Sequence, residues 1–157
     1  MTHWVRWTAP AVLATTLACP AHAVQYLSVA EAQKLAFPAA TRFENLGDGH
    51  AARAYAGSTP LGMFVIDHVV GKHLYIDYSV ALDASGRVQR VDILQYRESY
   101  GGEIRRPSWL AQFTGKSSGS PLKPGGDIRI ISGATLSSTH VTEGVKRIVS
   151  VYGSGAH

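Results

Sequence analysis

Residues 73–95 read HLYIDYSVALDASGRVQRVDILQ, and they encode a β-hairpin. Apolar side chains occupy alternate positions along 73–82, which is typical of a strand that buries one face. The Asp-Ala-Ser-Gly sequence at 83–86 predicts a turn, and residues 87–95 supply the returning strand. The apolar positions of the two strands are Leu74, Ile76, Tyr78, Val80 and Leu82, and then Val88, Val91 and Ile93.

The segment before the hairpin predicts one helix and more of the same sheet. Ser28 and Glu31 have the spacing of a capping box, so a helix is expected from there to about Ala36. Pro38 stops it, because proline cannot continue a helix. A loop is expected at 41–49, and strands are expected at 53–58 and 61–70.

The segment after the hairpin predicts a short helix, a strand and a long C-terminal helix. Residues 116–126 are rich in Ser, Gly and Pro and are expected to form a loop. Ile130 and Ile131 form an apolar run typical of a strand. The order helix, antiparallel meander, short helix, strand and long helix predicts a compact, single-domain α+β fold. The long helix is predicted from the 3.6-residue spacing of Val141, Val145, Ile148, Val149 and Tyr152.

The turn at 132–138, Ser-Gly-Ala-Thr-Leu-Ser-Ser, is the most informative segment for function. It lies where the last helix begins, and a helix N-terminus presents unpaired N–H groups and a partial positive charge. A phosphate is stabilised at such a position, and Thr135 adds a hydroxyl group between small residues. The same residues also fit an ordinary turn in which a Ser or Thr side chain caps the helix without any ligand.

This turn resembles the flavinylation motif of the FMN-binding domain family, which includes the FMN-carrying subunits of sodium-pumping quinone reductases and Rnf-type complexes. In that family the Thr of Ser/Thr-Gly-Ala-Thr carries FMN through a phosphoester bond. A dedicated flavin transferase that requires Mg²⁺ installs it, with FAD as donor. The resemblance implies that Thr135 is the covalent attachment site. It also implies a cofactor-binding turn made of Ser132, Gly133, Ala134, Leu136 and Ser137.

A second segment resembles the same family. Residues 96–104 read YRESYGGEI, similar to the family's Glu-x-x-Gly-x-Gly loop, although the two glycines are adjacent here. Paired glycines let the main chain approach a flat ring, and aromatic side chains such as Tyr100 offer apolar surface to it. An ordinary Gly-Gly turn with a core tryptophan is the alternative. The resemblance implies that Glu98, Gly101, Gly102 and Trp109 border the flavin ring.

One position departs from the family pattern. Members often carry an Asp three residues before the Ser of the motif, whereas Arg129 occupies that position here, with Asp127 as the nearest acid. If the Asp guides the transferase or its metal ion, the arginine makes modification of Thr135 less efficient.

The first 23 residues predict a secretory signal peptide. Arg6 gives a positive start, residues 9–18 are a short apolar run, and the Ala-His-Ala sequence at 21–23 fits a cleavage site. The run is too short to be a stable membrane span. The expected organisation is therefore a signal peptide at 1–23 and an FMN-binding domain at 24–157, located in the periplasm or another extracytoplasmic space.

Cys19, the only cysteine, lies within this segment, so the mature chain is expected to contain no thiol and no disulfide. A lipoprotein anchor at Cys19 is the lesser alternative, because Thr16 and Pro20 fit a lipoprotein signal poorly. The segment has no twin-arginine pair, which predicts export of the unfolded chain and attachment of the flavin after export.

The charge pattern argues against a nucleic-acid partner. The net charge of +4 falls to about +3 without the signal segment, in which Arg6 is the only Lys, Arg, Asp or Glu residue. The Lys and Arg residues of the chain are scattered along the sequence and form no dense basic cluster of the kind that binds nucleic acid. This mild basicity suits a phosphate-bearing cofactor or peripheral association with an anionic membrane.

Other catalytic chemistry finds little support in the sequence. His68 and His73 lack a third ligand, so no metal site is expected. There is no Gly-rich dinucleotide fingerprint after a strand and no defensible Ser-His-Asp arrangement. His140 on the last helix is expected to be exposed, although it could approach a flavin phosphate. Asp77 and Asp92 are expected on the solvated faces of strands.

These observations favour an exported electron-transfer protein in which a covalently bound flavin supplies the chemistry. No residue is expected to be catalytic. The expected partners are a flavin transferase and a membrane reductase or another exported redox protein. Two alternatives remain open. One is a redox-inactive exported module of the same fold that binds a ligand or a partner, and the other is a reductase that acts on a small substrate.

Overall fold

The computed structural model describes residues 24–47 and 49–154. The predicted signal peptide, its cleavage site and Cys19 lie outside the described residues. The strands are β1 (Val24–Gln25), β2 (Arg42–Leu46), β3 (Ala51–Ala56), β4 (Thr59–Val70), β5 (Tyr75–Asp83) and β6 (Val88–Tyr96). The helices are α1 (Val29–Ala36), α2 (Pro107–Leu110) and α3 (Thr135–Tyr152), with 3₁₀ turns at Gly102–Arg105 and Ala111–Phe113.

The six strands form one sheet in the order β1-β6-β5-β4-β3-β2, and every pair is antiparallel. The predicted hairpin is confirmed as β5 and β6, with Tyr78 opposite Ile93 and Val80 opposite Val91. Leu74 falls outside β5 and is exposed. The α+β fold class is confirmed.

Helices cover both faces of the sheet. On one face α3 buries Val141, Val145, Ile148 and Val149 against Ile76, Tyr78, Val80 and Leu82. On the other face α1 packs Ala32 and Ala36 near Phe64, Ala81 and Leu94. Because successive residues of a strand point to opposite faces, β5 is buried along both its odd and even positions.

Close contact between α3 and the sheet occurs at Gly144. A Cβ atom at this position would lie 2.1 Å from the Tyr78 hydroxyl oxygen, so only glycine lets the helix approach this closely. The Tyr78 hydroxyl donates to Asp67 Oδ2 at 3.0 Å, and Arg147 of α3 pairs with the same carboxylate. Burial, and then the negative charge of Asp67, raises the pKa of Tyr78. These contacts fix the position of α3, and therefore of Thr135 at its N-terminus.

Two predicted elements are wrong. The expected loop at 41–49 contains β2, an edge strand in which Phe43 alone is partly buried, against Phe37 and Phe64, so apolar alternation is absent. The expected strand at Ile130 and Ile131 is irregular. Side chains take the place of a sheet partner there, because Trp109 and Gln112 bond the backbone of Arg129.

The helix predictions are confirmed. Ser28 and Glu31 form the reciprocal capping box at the start of α1, and the expected apolar face of α3 is buried. Residues 116–126 contain no helix or strand. Within the described part of the chain, no helix combines the length and the apolarity needed to cross a membrane.

Candidate functional site

Thr135 is the first residue of α3, and its side chain is exposed. The residue at the N-cap is Ala134, and no side chain caps the helix. The Ser or Thr side-chain cap that the ordinary-turn alternative requires is therefore not formed. The Thr135 hydroxyl forms no hydrogen bond with any described residue, which leaves its oxygen available.

The turn before Thr135 is held rigid by Ser138. Its hydroxyl donates to the Ala134 carbonyl at 2.8 Å and accepts the Ile131 N–H at 3.3 Å. The Ala134 N–H also donates to the Ile131 carbonyl at 3.0 Å. Gly133 has a φ of +84°, a left-handed conformation that L side chains rarely adopt. The turn therefore presents Thr135 in a fixed position.

The first turn of α3 is favourable for an anion. Among the described residues, no acceptor bonds the backbone N–H groups of Thr135, Leu136 and Ser137, and no acidic residue lies in this turn. Unpaired N–H groups and the helix dipole together place partial positive charge at this point. A phosphate group is the kind of ligand that such a helix start stabilises.

A cavity of about 400 Å³ opens beside Thr135. Three segments meet there: the turn between β4 and β5, the loop after β6, and the start of α3. Tyr100, 86% exposed, and Leu136, 46% exposed, add apolar surface to it. The lining residues are Lys72, His73, Glu98, Ser99, Tyr100, Gly133, Ala134, Thr135, Leu136 and Ser137.

The two sequence motifs meet at this cavity. Gly101 has a φ of +86°, and a Cβ atom there would lie 2.8 Å from the Tyr96 hydroxyl and 3.1 Å from the Ala134 Cβ. The Tyr96 hydroxyl donates to the Tyr100 carbonyl, and it lies 3.5 Å from Ser137 Oγ. The glycine thus lets the loop after β6 pack directly on the turn before Thr135.

Glu98 lines the cavity, but its carboxylate mainly holds the β4–β5 turn. Glu98 Oε1 accepts the N–H groups of His73 at 2.5 Å and Leu74 at 2.8 Å. Burial raises the pKa of Glu98, and the N–H donors of Leu74, His73 and Lys72 outweigh it, so the net shift is downward. Gly71 leaves room for this arrangement, since a Cβ there would lie 2.8 Å from Glu98 Oε1. Glu98 therefore positions Lys72 and His73 at the cavity.

Replacement of Glu98 by Gln is expected to lower the free energy of unfolding at neutral pH by about 1 kcal/mol, the scale of a hydrogen bond to a charged group at a partly exposed site. Because the folded-state pKa lies below the ordinary value of 4.5, this stabilisation is complete above that pH and is lost as the pH falls below it. Urea unfolding of both proteins at neutral pH and at about pH 3 measures the effect.

Glu103→Gln is the matched control, because the Glu103 carboxylate accepts no hydrogen bond from a described residue. The difference between wild type and Glu98→Gln should shrink towards pH 3, and the control should show no such trend. A difference that is constant across this pH range would contradict the assigned role of Glu98.

Four of the predicted cofactor-binding residues are not among those that line the cavity, namely Ser132, Gly101, Gly102 and Trp109. Gly102 begins a 3₁₀ turn, and its carbonyl accepts the Arg105 Nε–H at 3.0 Å. Trp109 is buried and packs edge-to-face on Phe113, with ring centroids 5.2 Å apart. Its indole N–H donates to the Arg129 carbonyl at 2.7 Å. Trp109 is therefore a core residue, as the alternative interpretation of this segment predicts.

The remaining candidate side chains have local partners. His68 packs edge-on against Tyr75, and His140 Nδ1 lies 2.6 Å from the Val70 carbonyl. The described residues contain no group of three or more potential metal ligands. The prediction for Asp92 is wrong, because its carboxylate is buried and takes two hydrogen bonds from Arg90.

Lys72, His73 and Ser99 line the cavity but are absent from the sequence-predicted site. The glycine in the Gly-Lys-His sequence at 71–73 indicates a turn, so the turn itself can be predicted from the sequence. Its place beside Thr135 depends on the β4–β5 register and on the Glu98 bonds, and these are not visible in the sequence.

Comparison with known proteins relates the chain to a family. The family model described as the FMN-binding domain matches residues 71–150, which include every residue that lines the cavity. No curated protein matches the chain significantly.

Proposed function

Since the chain belongs to the FMN-binding domain family, we propose that it is an exported electron-transfer protein that carries FMN covalently, through a phosphoester bond to Thr135. The observation that carries this proposal is the exposed Thr135 hydroxyl, without a partner among the described residues, at the uncapped start of α3.

The residues around Thr135 suit a phosphate-bearing flavin. The cavity of about 400 Å³ has the size of a small-molecule site. The N–H groups at positions 135–137 suit the phosphate, with Lys72 as an additional cation at the cavity. Tyr100 and Leu136 offer exposed apolar surface to a flat ring. When bound, FMN supplies one- or two-electron redox chemistry, while the protein anchors it and limits its exposure to solvent.

The attachment step uses the Thr135 hydroxyl as the nucleophile. Its Oγ1 forms a bond to the FMN phosphorus of FAD, and the pyrophosphate bond breaks so that AMP leaves. The hydroxyl proton passes to a base of the transferase, and the transferase supplies Mg²⁺. Gly133 and Ala134 are small and would leave room for the transferase to reach this hydroxyl. After transfer, the phosphodiester is still anionic and remains beside the start of α3, which stabilises negative charge.

The location and partners belong to the same proposal. Residues 1–23 would direct export, so that the flavin is attached outside the cytoplasm. A covalent bond suits that compartment, because a cofactor that dissociated there would be difficult to replace. Electrons would pass to and from a membrane reductase or another exported redox protein, with peripheral association with the membrane.

Coexpression of the full chain with a flavin transferase tests the proposal. The purified mature protein should be yellow, and its fluorescence should remain with the polypeptide after denaturation. Flavin that is released by denaturation would instead support a noncovalent ligand-binding module. Turnover of a small substrate by the isolated protein would favour the reductase alternative.

Arg129→Asp is expected to raise the initial rate of flavinylation, by roughly tenfold if the charge acts on the encounter with the transferase. The Arg129 side chain is exposed, so the change restores the acid of the family pattern without disturbing the core. Lys146→Asp, an equal charge change on an exposed position of α3, is the control. Equal rates for wild type and Arg129→Asp would show that this acid does not assist the transferase.

A further inference from the structure

A second cavity, of about 230 Å³, lies between α2 and the irregular segment 129–131. It shares no lining residue with the cavity beside Thr135. Its polar lining consists of Arg106, Ser108, Gln112 and Arg129, and Trp109 and Ile131 contribute apolar lining. Two exposed arginines therefore line one small concave surface.

Hydrogen bonds hold the floor of this cavity in place. The Trp109 indole N–H donates to the Arg129 carbonyl at 2.7 Å, and Gln112 Nε2 donates to the Trp109 carbonyl at 3.0 Å. Gln112 Oε1 accepts the Arg129 N–H at 2.9 Å and lies 3.5 Å from Arg129 Nε. Gln112 and Trp109 thus fix the backbone of Arg129 at the cavity, and the Arg129 side chain begins from that fixed position.

The two arginines carry charge that no described carboxylate neutralises. Neither forms a salt bridge, and no acidic residue lines the cavity. Asp127, the nearest acid in sequence to Arg129, is occupied by Lys116 at 2.8 Å and by the Lys123 N–H at 2.7 Å. Among the described residues, five other basic side chains pair with carboxylates, namely Arg42, Arg90, Arg97, Lys116 and Arg147.

We infer that this cavity binds the phosphate group of a phosphomonoester. A phosphomonoester carries close to two negative charges at neutral pH, which matches two guanidinium groups. The planar fork of arginine bonds phosphate oxygens in pairs, and the Ser108 hydroxyl provides another donor at the same surface. Ile130, which also lines the cavity and is exposed, and the partly buried Ile131 supply apolar surface for the organic part of the ligand. This site is separate from the flavin site and does not depend on modification of Thr135.

Calorimetric titration of the mature full chain carrying Thr135→Ala, which keeps the second cavity intact without flavin, tests the inference. The probes are AMP, inorganic phosphate, adenosine and succinate. We expect saturable binding of one AMP per chain, weaker binding of inorganic phosphate, and no binding of adenosine. Arg106→Gln and Arg129→Gln should each weaken AMP binding at least about tenfold, since each removes charge-assisted hydrogen bonds.

Two further variants are needed. Arg129→Lys separates the effect of charge from that of the arginine fork, and Lys146→Gln is the control. The lysine variant keeps the charge but loses the fork, so it should bind AMP several-fold more weakly than the wild-type cavity. Lys146→Gln removes a charge from an exposed position of α3 and should leave AMP binding unchanged. Thermal melting confirms that each variant is folded.

Three results would overturn the inference. The first is the absence of saturable binding of AMP and inorganic phosphate. The second is AMP binding that survives both arginine substitutions, which would place the phosphate elsewhere, for example at the start of α3. The third is succinate binding as tight as AMP binding, which would assign the cavity to carboxylates. Because the tested chain lacks the Thr135 hydroxyl, none of these results bears on covalent flavinylation.

Discussion

Thr135→Ala is expected to abolish covalent flavin attachment completely. The substitution removes the only atom that the proposed phosphoester uses, and it leaves the rest of the cavity in place. Intact mass spectrometry after coexpression with a flavin transferase measures the effect directly. The wild-type chain should gain the mass of one FMN less one water, and the variant should gain nothing.

The fold of this variant should be unaffected. The Thr135 hydroxyl makes no hydrogen bond to a described residue and does not cap α3, so the free energy of unfolding should change by less than about 0.5 kcal/mol. Thr139→Ala, one turn further along α3, is the matched control and should be modified like the wild type. An adduct that persists in Thr135→Ala would move the attachment site to another residue.

Gly144→Ala is expected to cause the largest loss of stability of the substitutions considered. In a helix, alanine is normally more favourable than glycine by about 1 kcal/mol. Here the new methyl group would lie 2.1 Å from the Tyr78 hydroxyl oxygen and 2.9 Å from Tyr78 Cζ. Overpacking of this kind costs about 1–3 kcal/mol, and displacement of α3 would also shift Thr135. Urea unfolding measures the change in the free energy of unfolding.

A double-mutant cycle with Tyr78→Phe isolates the cause. Tyr78→Phe alone removes the hydrogen bond to Asp67, whose carboxylate keeps its pairing with Arg147, so it should cost about 1 kcal/mol. In the phenylalanine background Gly144→Ala should cost clearly less, because the closest atom is gone. Additive costs, or a Gly144→Ala protein as stable as the wild type, would contradict this account of how α3 packs.

Much of the fold follows from local patterns in the sequence. The hairpin with its turn at 83–86 and the capping box at Ser28 and Glu31 appear in the structure as predicted, although Leu74 lies before β5 and β5 is buried on both faces. The elements that the sequence patterns failed to predict depend on contacts between residues that lie far apart in the chain. β2 exists because it pairs with β3, with only Phe43 partly buried. Ile130 and Ile131 form no strand, and at the preceding residue Trp109 and Gln112 bond the Arg129 backbone.

Some parts of the candidate site can likewise be predicted from the sequence, and others depend on tertiary contacts. The turn containing Thr135 and the loop containing Gly101 carry sequence signals, since both need small residues where two stretches of backbone approach closely. The roles of Glu98 and Trp109 depend on tertiary contacts. Glu98 reaches back 24 residues to the Leu74 N–H, and Trp109 packs on Phe113 and bonds the Arg129 carbonyl. Periodicity cannot reveal contacts of this kind.

Mass spectrometry of the mature protein, purified from its native host and digested to peptides, shows whether Thr135 carries the flavin. We expect one FMN per chain, bound through its phosphate to the peptide that contains Thr135. A colourless protein of unmodified mass would contradict this expectation, and so would FMN that separates from the chain on denaturation.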